Sequence, residues 1–291
     1  MNTSLEDYIG QIEGLPTTQG VLVKLIEFFQ QPERDIDDVC KLIHQDPALS
    51  AGVLRFANSP LYAPEQPIHE VYDAIAWVGF TQIYHAVVAS LASQVLTLSK
   101  TSNAINVGET WKHSAKTAVY ASAIGAKFQE TEGMAFTAGL LHDVGKIAFS
   151  LADGPRYAAV INRFGSGPAL EAAEIEAFGF GHATVGAALL RRWGLPVPIY
   201  EAVCFHHITG GVKPHERLCA MVSLGNIMAH DETAGTPGDQ YAGSEIAVSA
   251  MALLKLSKDQ LDLMKVEKQK DIEAMISMLN PGSAKKTAAR K

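Results

Sequence analysis

Apolar residues recur at intervals of three and four along most of the chain, and clean two-residue alternation is scarce, a pattern that predicts helices rather than strands. In "VLVKLIEFF" (21–29) the spacing is that of a buried helical face. In "RDIDDVCKLIH", Asp35 is placed to cap a helix whose Ile36, Val39, Cys40 and Ile43 share one side. "DPALSAGVLRFANSP" predicts a complete short helix. Asp46 caps it, Pro47 sits in the first turn where a missing N–H costs nothing, and Asn58-Ser59-Pro60 ends it. "IHEVYDAIAWVGFTQIYHAVVASLASQVL" predicts two helices broken at Gly79. A polar stretch, "TLSKTSNAINVGE" (97–109), then marks the best boundary in the chain. Long apolar helices resume at "TWKHSAKTAVYASAIGAKF", and the last helix opens with Ser257 and Gln260 in capping-box spacing. The expected architecture is all-α and two-lobed: an N-terminal helical lobe over 1–100, a helical domain over 101–280, and a disordered basic tail over 281–291.

Composition narrows the function classes. Of 291 residues, 47% are apolar and 19% charged, as in a globular chain with a sizeable core. The net charge of −7 opposes nonspecific binding to DNA, which needs a basic face. Cys40, Cys204 and Cys219 are far apart and odd in number, which predicts reduced thiols in a cytoplasmic protein. The acidic start "MNTSLEDYIG" does not resemble a signal peptide, and no apolar run reaches the ~18 residues that span a membrane.

The candidate chemistry lies in "GLLHDVGKIAF" (139–149), where His142 and Asp143 interrupt an apolar run. Read as neighbours on a helix, they stand about 100° apart and can face one cavity. His206 and His207 repeat the arrangement, read as part of a helix starting near Pro196 and Pro198. His113 follows Trp111 on a helix, and His182 opens another after Gly179 and Gly181. A single histidine in such a setting is usually a satisfied core residue. The whole series is different. Leaving six such groups buried without partners would cost ~1–3 kcal/mol each. A shared divalent metal satisfies them together, since neutral imidazole and carboxylate are good ligands for first-row ions. A hydrogen-bonded polar core is the alternative. Cys204 and His207 have the spacing of a zinc pair, but a small buried thiol accounts for the cysteine. Glu174 and Glu176 precede His182, and one could orient a ligand histidine; a solvated face is the default for both. His44, His69 and His85 lack ligand spacing, and Arg191 and Arg192 are taken as surface charges.

"WKHS", "GLLHDVGK", "GHATVGAALLRRWGLP" and "EAVCFHH" resemble the HD superfamily of metal-dependent phosphohydrolases. With "LPTTQGVLVKLIEFF", "IHQDPALSAGVLRFANSPLY" and "IHEVYDAIAWVGFTQI", the chain is similar to its HDOD subfamily over about residues 14–235. The resemblance implies an all-helical, bacterial signal-transduction protein with a pocket in the second lobe. It implies one or two divalent ions, whether Fe, Mn, Mg, Ni or Zn. His113, His142 and Asp143 would form one ligand set, and His182, His206 and His207 a second, with Asp143 bridging. Lys146 would face a substrate phosphate and, four residues after His142, share its helix face.

Two departures stand against the pattern. The later aspartate of the family matches Asn226 here, an amide that is a poorer ligand and carries no charge. Asp231 is rotated about 140° from it, whereas His230, about 40° away, is placed to reach the site instead. The segment after "HHITGG" also lacks the GYP-type motif of cyclic-di-GMP phosphodiesterases. Two functions follow. One is a phosphohydrolase acting on a phosphomonoester or phosphodiester, with Asp143 and Lys146 as catalytic residues and a phosphorylated small molecule or nucleotide as substrate. The other is a non-catalytic module that binds a nucleotide or a signalling protein through a degenerate site.

Overall fold

The computed structural model describes residues 4–10, 19–29, 31, 35–98, 104–128, 132–208, 215–233 and 244–278. Every regular element among them is a helix: α1 (Leu5–Gly10), α2 (Gln19–Phe29), α3 (Ile36–His44), α4 (Pro47–Ala57), α5 (Val71–Val78), α6 (Phe80–Leu98), α7 (Val107–Gly125), α8 (Glu132–Leu141), α9 (Val144–Phe164), α10 (Pro168–Phe178), α11 (His182–Arg192), α12 (Val197–Cys204), α13 (Glu216–Thr233), α14 (Glu245–Leu254), α15 (Lys258–Glu267) and α16 (Gln269–Ser277). The expected tail at 281–291 lies outside the described residues.

The local signals work as their chemistry dictates. Asp35 accepts the Asp37 N–H, and Asp46 accepts those of Ala48 and Leu49 with Pro47 in the first turn. Gly79 adopts φ +95°, and separates α5 from α6. Ser257 and Gln260 close a reciprocal capping box. That helix is not the last one, because the chain turns at Lys268 and forms α16.

One hydrophobic core runs from Ile9 to Met278. Helix α1 packs on α11, with Tyr8 tilted against Phe149 and Phe180. Helix α7 is the central strut, lying against α8 on one side and α13 on the other. Its exposed-to-neighbour faces are built from small side chains: Ser114, Ala115, Thr117, Ala118, Ala121 and Ser122. Backbones approach closely there. A Cβ on Gly225 of α13 would lie 2.7 Å from the Thr117 carbonyl oxygen, and one on Gly139 of α8 3.0 Å from the same atom. These tight crossings bring the middles of α7 and α13 and the C-terminal end of α8 together. Helix α9 bends at Asp153, just before Pro155, which lacks the N–H that a continuous helix would use.

Candidate metal centre

Histidines scattered over a hundred residues of sequence converge on one carboxylate. Oδ2 of Asp143 lies 3.3 Å from His142 Nε2 and 3.8 Å from His113 Nε2. Oδ1 of the same residue lies 3.4 Å from His182 Nε2 and 4.0 Å from His206 Nε2. His182 Nε2 is in turn 3.1 Å from His207 Nε2, and His113 Nε2 is 3.2 Å from His142 Nε2. The ligand atoms thus fall into two compact groups, His113–His142–Asp143 and His182–His206–His207, each within 4.8 Å.

Backbone geometry at two of these positions departs from the expectation of helical pairs. His142 and Asp143 occupy a two-residue turn between α8 and α9, and His206 and His207 lie just past the end of α12. The physical reason is the same at both. His142 Nδ1 donates to the Gly139 carbonyl at 2.7 Å, and His206 Nδ1 to that of Val203 at 2.6 Å. Each ring takes a carbonyl three residues back that a continuing helix would have used. Asp143 stands at the N-cap position of α9 but makes no capping bond with its side chain, so its carboxylate is left for the histidines.

These bonds also fix the tautomers. A carbonyl oxygen only accepts, so Nδ1 carries the proton in His142 and His206, and Nε2 presents a lone pair. His182 is fixed likewise, with Nδ1 2.6 Å from Glu174 Oε2. Of the two acids that could orient a ligand histidine, Glu174 does so, and the solvated face that was the default does not hold for it. Instead it is wholly buried, accepting also the His182 backbone N–H at 2.7 Å and the Tyr157 hydroxyl at 2.8 Å. The Tyr157 contact was not visible in the sequence, since it joins residues of two different helices. Glu176 is exposed.

The electrostatics follow from burial. Desolvation, reinforced by neighbouring histidines, pushes His113 and His206 well below the usual imidazole range. Burial pushes His207 down to about 2 and His230 to about 4. Burial would raise Asp143, but His142, Lys146 and His182 hold it well below the usual carboxylate range. The cluster is therefore an anionic carboxylate with the neutral imidazoles of His113, His206, His207 and His230 around it. Three buried acceptor atoms here find no hydrogen-bond partner among the described residues: Asp143 Oδ1, His206 Nε2 and Asn226 Oδ1. Asp143 Oδ1 and His206 Nε2 stand 4.0 Å apart, too far for a direct hydrogen bond, so neither satisfies the other. A cation satisfies them at once, and imidazole nitrogen with carboxylate oxygen is a donor set suited to a divalent first-row metal. The residues present fit such an ion.

The remaining predicted residues surround this core. On α13, Ser223, Asn226 and His230 follow at intervals of three and four, on one face. Ser223 Oγ donates to the His206 carbonyl at 2.9 Å, and the His230 ring lies 4.3 Å from that of His113. Asn226 is buried between these two contacts. Lys146 does not share a helix face with His142, which is outside α9; its ammonium donates to Asp143 Oδ2 at 2.7 Å. The side chains of His113 and Lys146 keep 12% and 13% exposure, and His207 and His230 are also part-buried, so these four form the rim. Cys204 is half-buried rather than buried, and falls in neither ligand group. His85 is buried and stacked on Phe136, His44 and His69 are exposed, and Arg191 pairs with Glu6 at the surface.

The model of the HDOD domain matches residues 15–209, a segment that ends before Asn226 and His230. A protein of Treponema pallidum (strain Nichols), itself uncharacterised, is 24% identical over 246 residues, which are 83% of this chain and 46% of that protein. The chain thus spans about half the length of that relative. Among solved structures, an HDOD domain protein of unknown function from Geobacter sulfurreducens superposes with TM-score 0.77 at 24% identity, covering 94% of this chain and 96% of its own. A protein provisionally named a phosphohydrolase, from Shewanella amazonensis SB2B, gives 0.75 at 20% identity, with 94% and 97% covered. One provisionally named for signal transduction, from Marinobacter aquaeolei VT8, gives 0.71 at 20%, with 96% and 62% covered. All three share the helical fold; with the domain match over two thirds of its length, this chain belongs to the HDOD family.

Proposed function

We propose that this HDOD protein binds divalent metal between its two histidine groups, with Asp143 bridging them, and serves bacterial signal transduction through that centre. The observation that carries the reading is the pair of buried acceptors, Asp143 Oδ1 and His206 Nε2, 4.0 Å apart and each without a hydrogen-bond partner among the described residues. A bound divalent ion supplies Lewis-acid polarisation of a phosphoryl oxygen. Around it, this chain's own groups have distinct tasks. Glu174 holds His182 in the tautomer that offers Nε2, Lys146 brings positive charge to the rim, and His113, His207 and His230 border the approach for a phosphorylated small molecule or nucleotide. Among the described residues no helix is long and apolar enough to cross a membrane.

The test is a panel of phosphomonoesters and phosphodiesters assayed with added Mn²⁺, Fe²⁺ or Mg²⁺. Hydrolysis that disappears in His142→Ala and Asp143→Ala supports a phosphohydrolase. A second reading, a regulatory module that holds metal and ligand without turnover, is favoured by Asn226, which brings no charge where a carboxylate would. Metal binding with no hydrolysis of any ester supports this second reading. No metal bound under any condition rejects both.

A further inference from the structure

The two halves of the centre are not equivalent, and we propose that a single divalent ion occupies the His182–His206–His207 side, against Oδ1 of Asp143, while the Lys146 ammonium takes the place of a second ion beside Oδ2. This rests on the metal-binding reading above and adds the number of ions and their place.

Hydrogen-bond accounting separates the sides. On the first, Oδ2 already accepts a charge-assisted bond from Lys146 at 2.7 Å, and the lone pair of His142 Nε2 meets the Nε2 of His113 at 3.2 Å, which is free to carry a proton. The histidines and the Asp143 oxygen of that side are thus satisfied by the protein alone, and the one unpartnered acceptor near them is the neutral amide oxygen of Asn226. On the second, a proton on His207 can meet His182, yet Oδ1 of Asp143 and Nε2 of His206 stay unpartnered. An unpartnered carboxylate oxygen beside an unpartnered imidazole nitrogen costs more to bury than one neutral amide oxygen.

Charge gives the same answer. The carboxylates bonded into the cluster are Asp143 and Glu174, and Glu174 acts on the second side only, through His182. Glu171, half-buried one turn before Glu174, also acts electrostatically on His182. The first side has Lys146 in contact, and Asn226, on α13 between the residues that touch His206 and His113, adds no negative charge. Two dications with Lys146 would leave three positive charges uncompensated by Asp143 and Glu174, whereas one dication leaves one. In a site this buried the difference is decisive.

The experiment is elemental analysis of the full chain, metal-free and then reconstituted with Mn²⁺, with electron paramagnetic resonance reporting whether bound ions are coupled. Wild type is expected to hold one uncoupled ion. His206→Gln and His207→Gln lose it, and His113→Gln keeps it. His207 is at the rim, so its variant remains informative if the buried His206→Gln does not fold, as circular dichroism will show. The double variant Lys146→Ala/Asn226→Asp gains a second, coupled ion. Two ions in wild type, an ion lost in His113→Gln but kept in His207→Gln, or a double variant that stays at one ion would each overturn the proposal while leaving metal binding intact. No ion in wild type would overturn both.

Discussion

His206 turns one nitrogen to its own backbone and the other to Asp143, so its ring acts as a donor set in advance for an acceptor site. Glu174 does the same for His182 from a wholly buried position, where it also accepts the Tyr157 hydroxyl. Replacing it with glutamine removes the negative charge and loosens the tautomer. Metal affinity in Glu174→Gln should fall about 10–100-fold while the fold is kept, measured by calorimetric titration with Mn²⁺. Unchanged affinity would show that Glu174 serves only packing. The sequence showed the histidines and Asp143 plainly, because two adjacent polar residues in an apolar run are conspicuous. It offered Glu174 and Glu176 as acids that could orient a ligand histidine but did not choose between them, because the burial of Glu174 depends on the fold around it. A separate histidine records the same physics away from the site. His85 is stacked on Phe136, and burial, aided by the charge of Lys268, pushes it down to about 3. Its native form is neutral while the unfolded chain takes a proton below about pH 6.5, so its contribution is complete above that value and is lost as pH falls toward 3. Thermal unfolding of the metal-free protein should therefore weaken from pH 7 to 4.5, and less steeply in His85→Phe; parallel slopes would contradict this.

Helix ends carry His142, Asp143, His182, His206 and His207, while His113, Asn226 and His230 come from the faces of α7 and α13. Periodicity and caps located α3, α4, α5 and α6 well, since each is set by local chemistry: Asp35, Asp46, Gly79. The breaks after Leu141 and Cys204 were not legible. They arise when a histidine ring captures a carbonyl three residues back, and that choice pays off only once the other helices deliver Asp143 its neighbours. The junction of α9 and α11 is as constrained. A Cβ on Gly145 would lie 2.0 Å from the His182 carbonyl oxygen, a backbone atom that cannot rotate away. Gly145→Ala should destabilise the protein by about 1–3 kcal/mol in urea unfolding and weaken metal binding with it, because α11 carries His182. Asp46→Ala removes a cap from α4, far along the chain. It should cost about 0.5–2 kcal/mol without altering metal affinity. A loss of affinity in that variant would mean that the centre senses the N-terminal helices.

At the scale of the whole molecule, a continuous core supports a buried polar cluster that the core alone does not satisfy. The all-α class was legible because helical spacing runs through almost every segment. The convergence of α7, α11, α13 and the two turns was not, because it depends on close backbone crossings such as that of Gly225 with Thr117. A ligand that binds only the folded state stabilises it, by about 2.7 kcal/mol at a hundredfold excess over its dissociation constant. The most direct measurement is therefore elemental analysis of the purified protein paired with its thermal unfolding before and after chelation. The account predicts divalent metal in the wild type, a lower melting temperature once it is stripped, and neither metal nor shift in Asp143→Asn. Wild-type protein free of divalent metal, with a melting temperature that Mn²⁺, Fe²⁺ and Zn²⁺ leave unmoved, would contradict it.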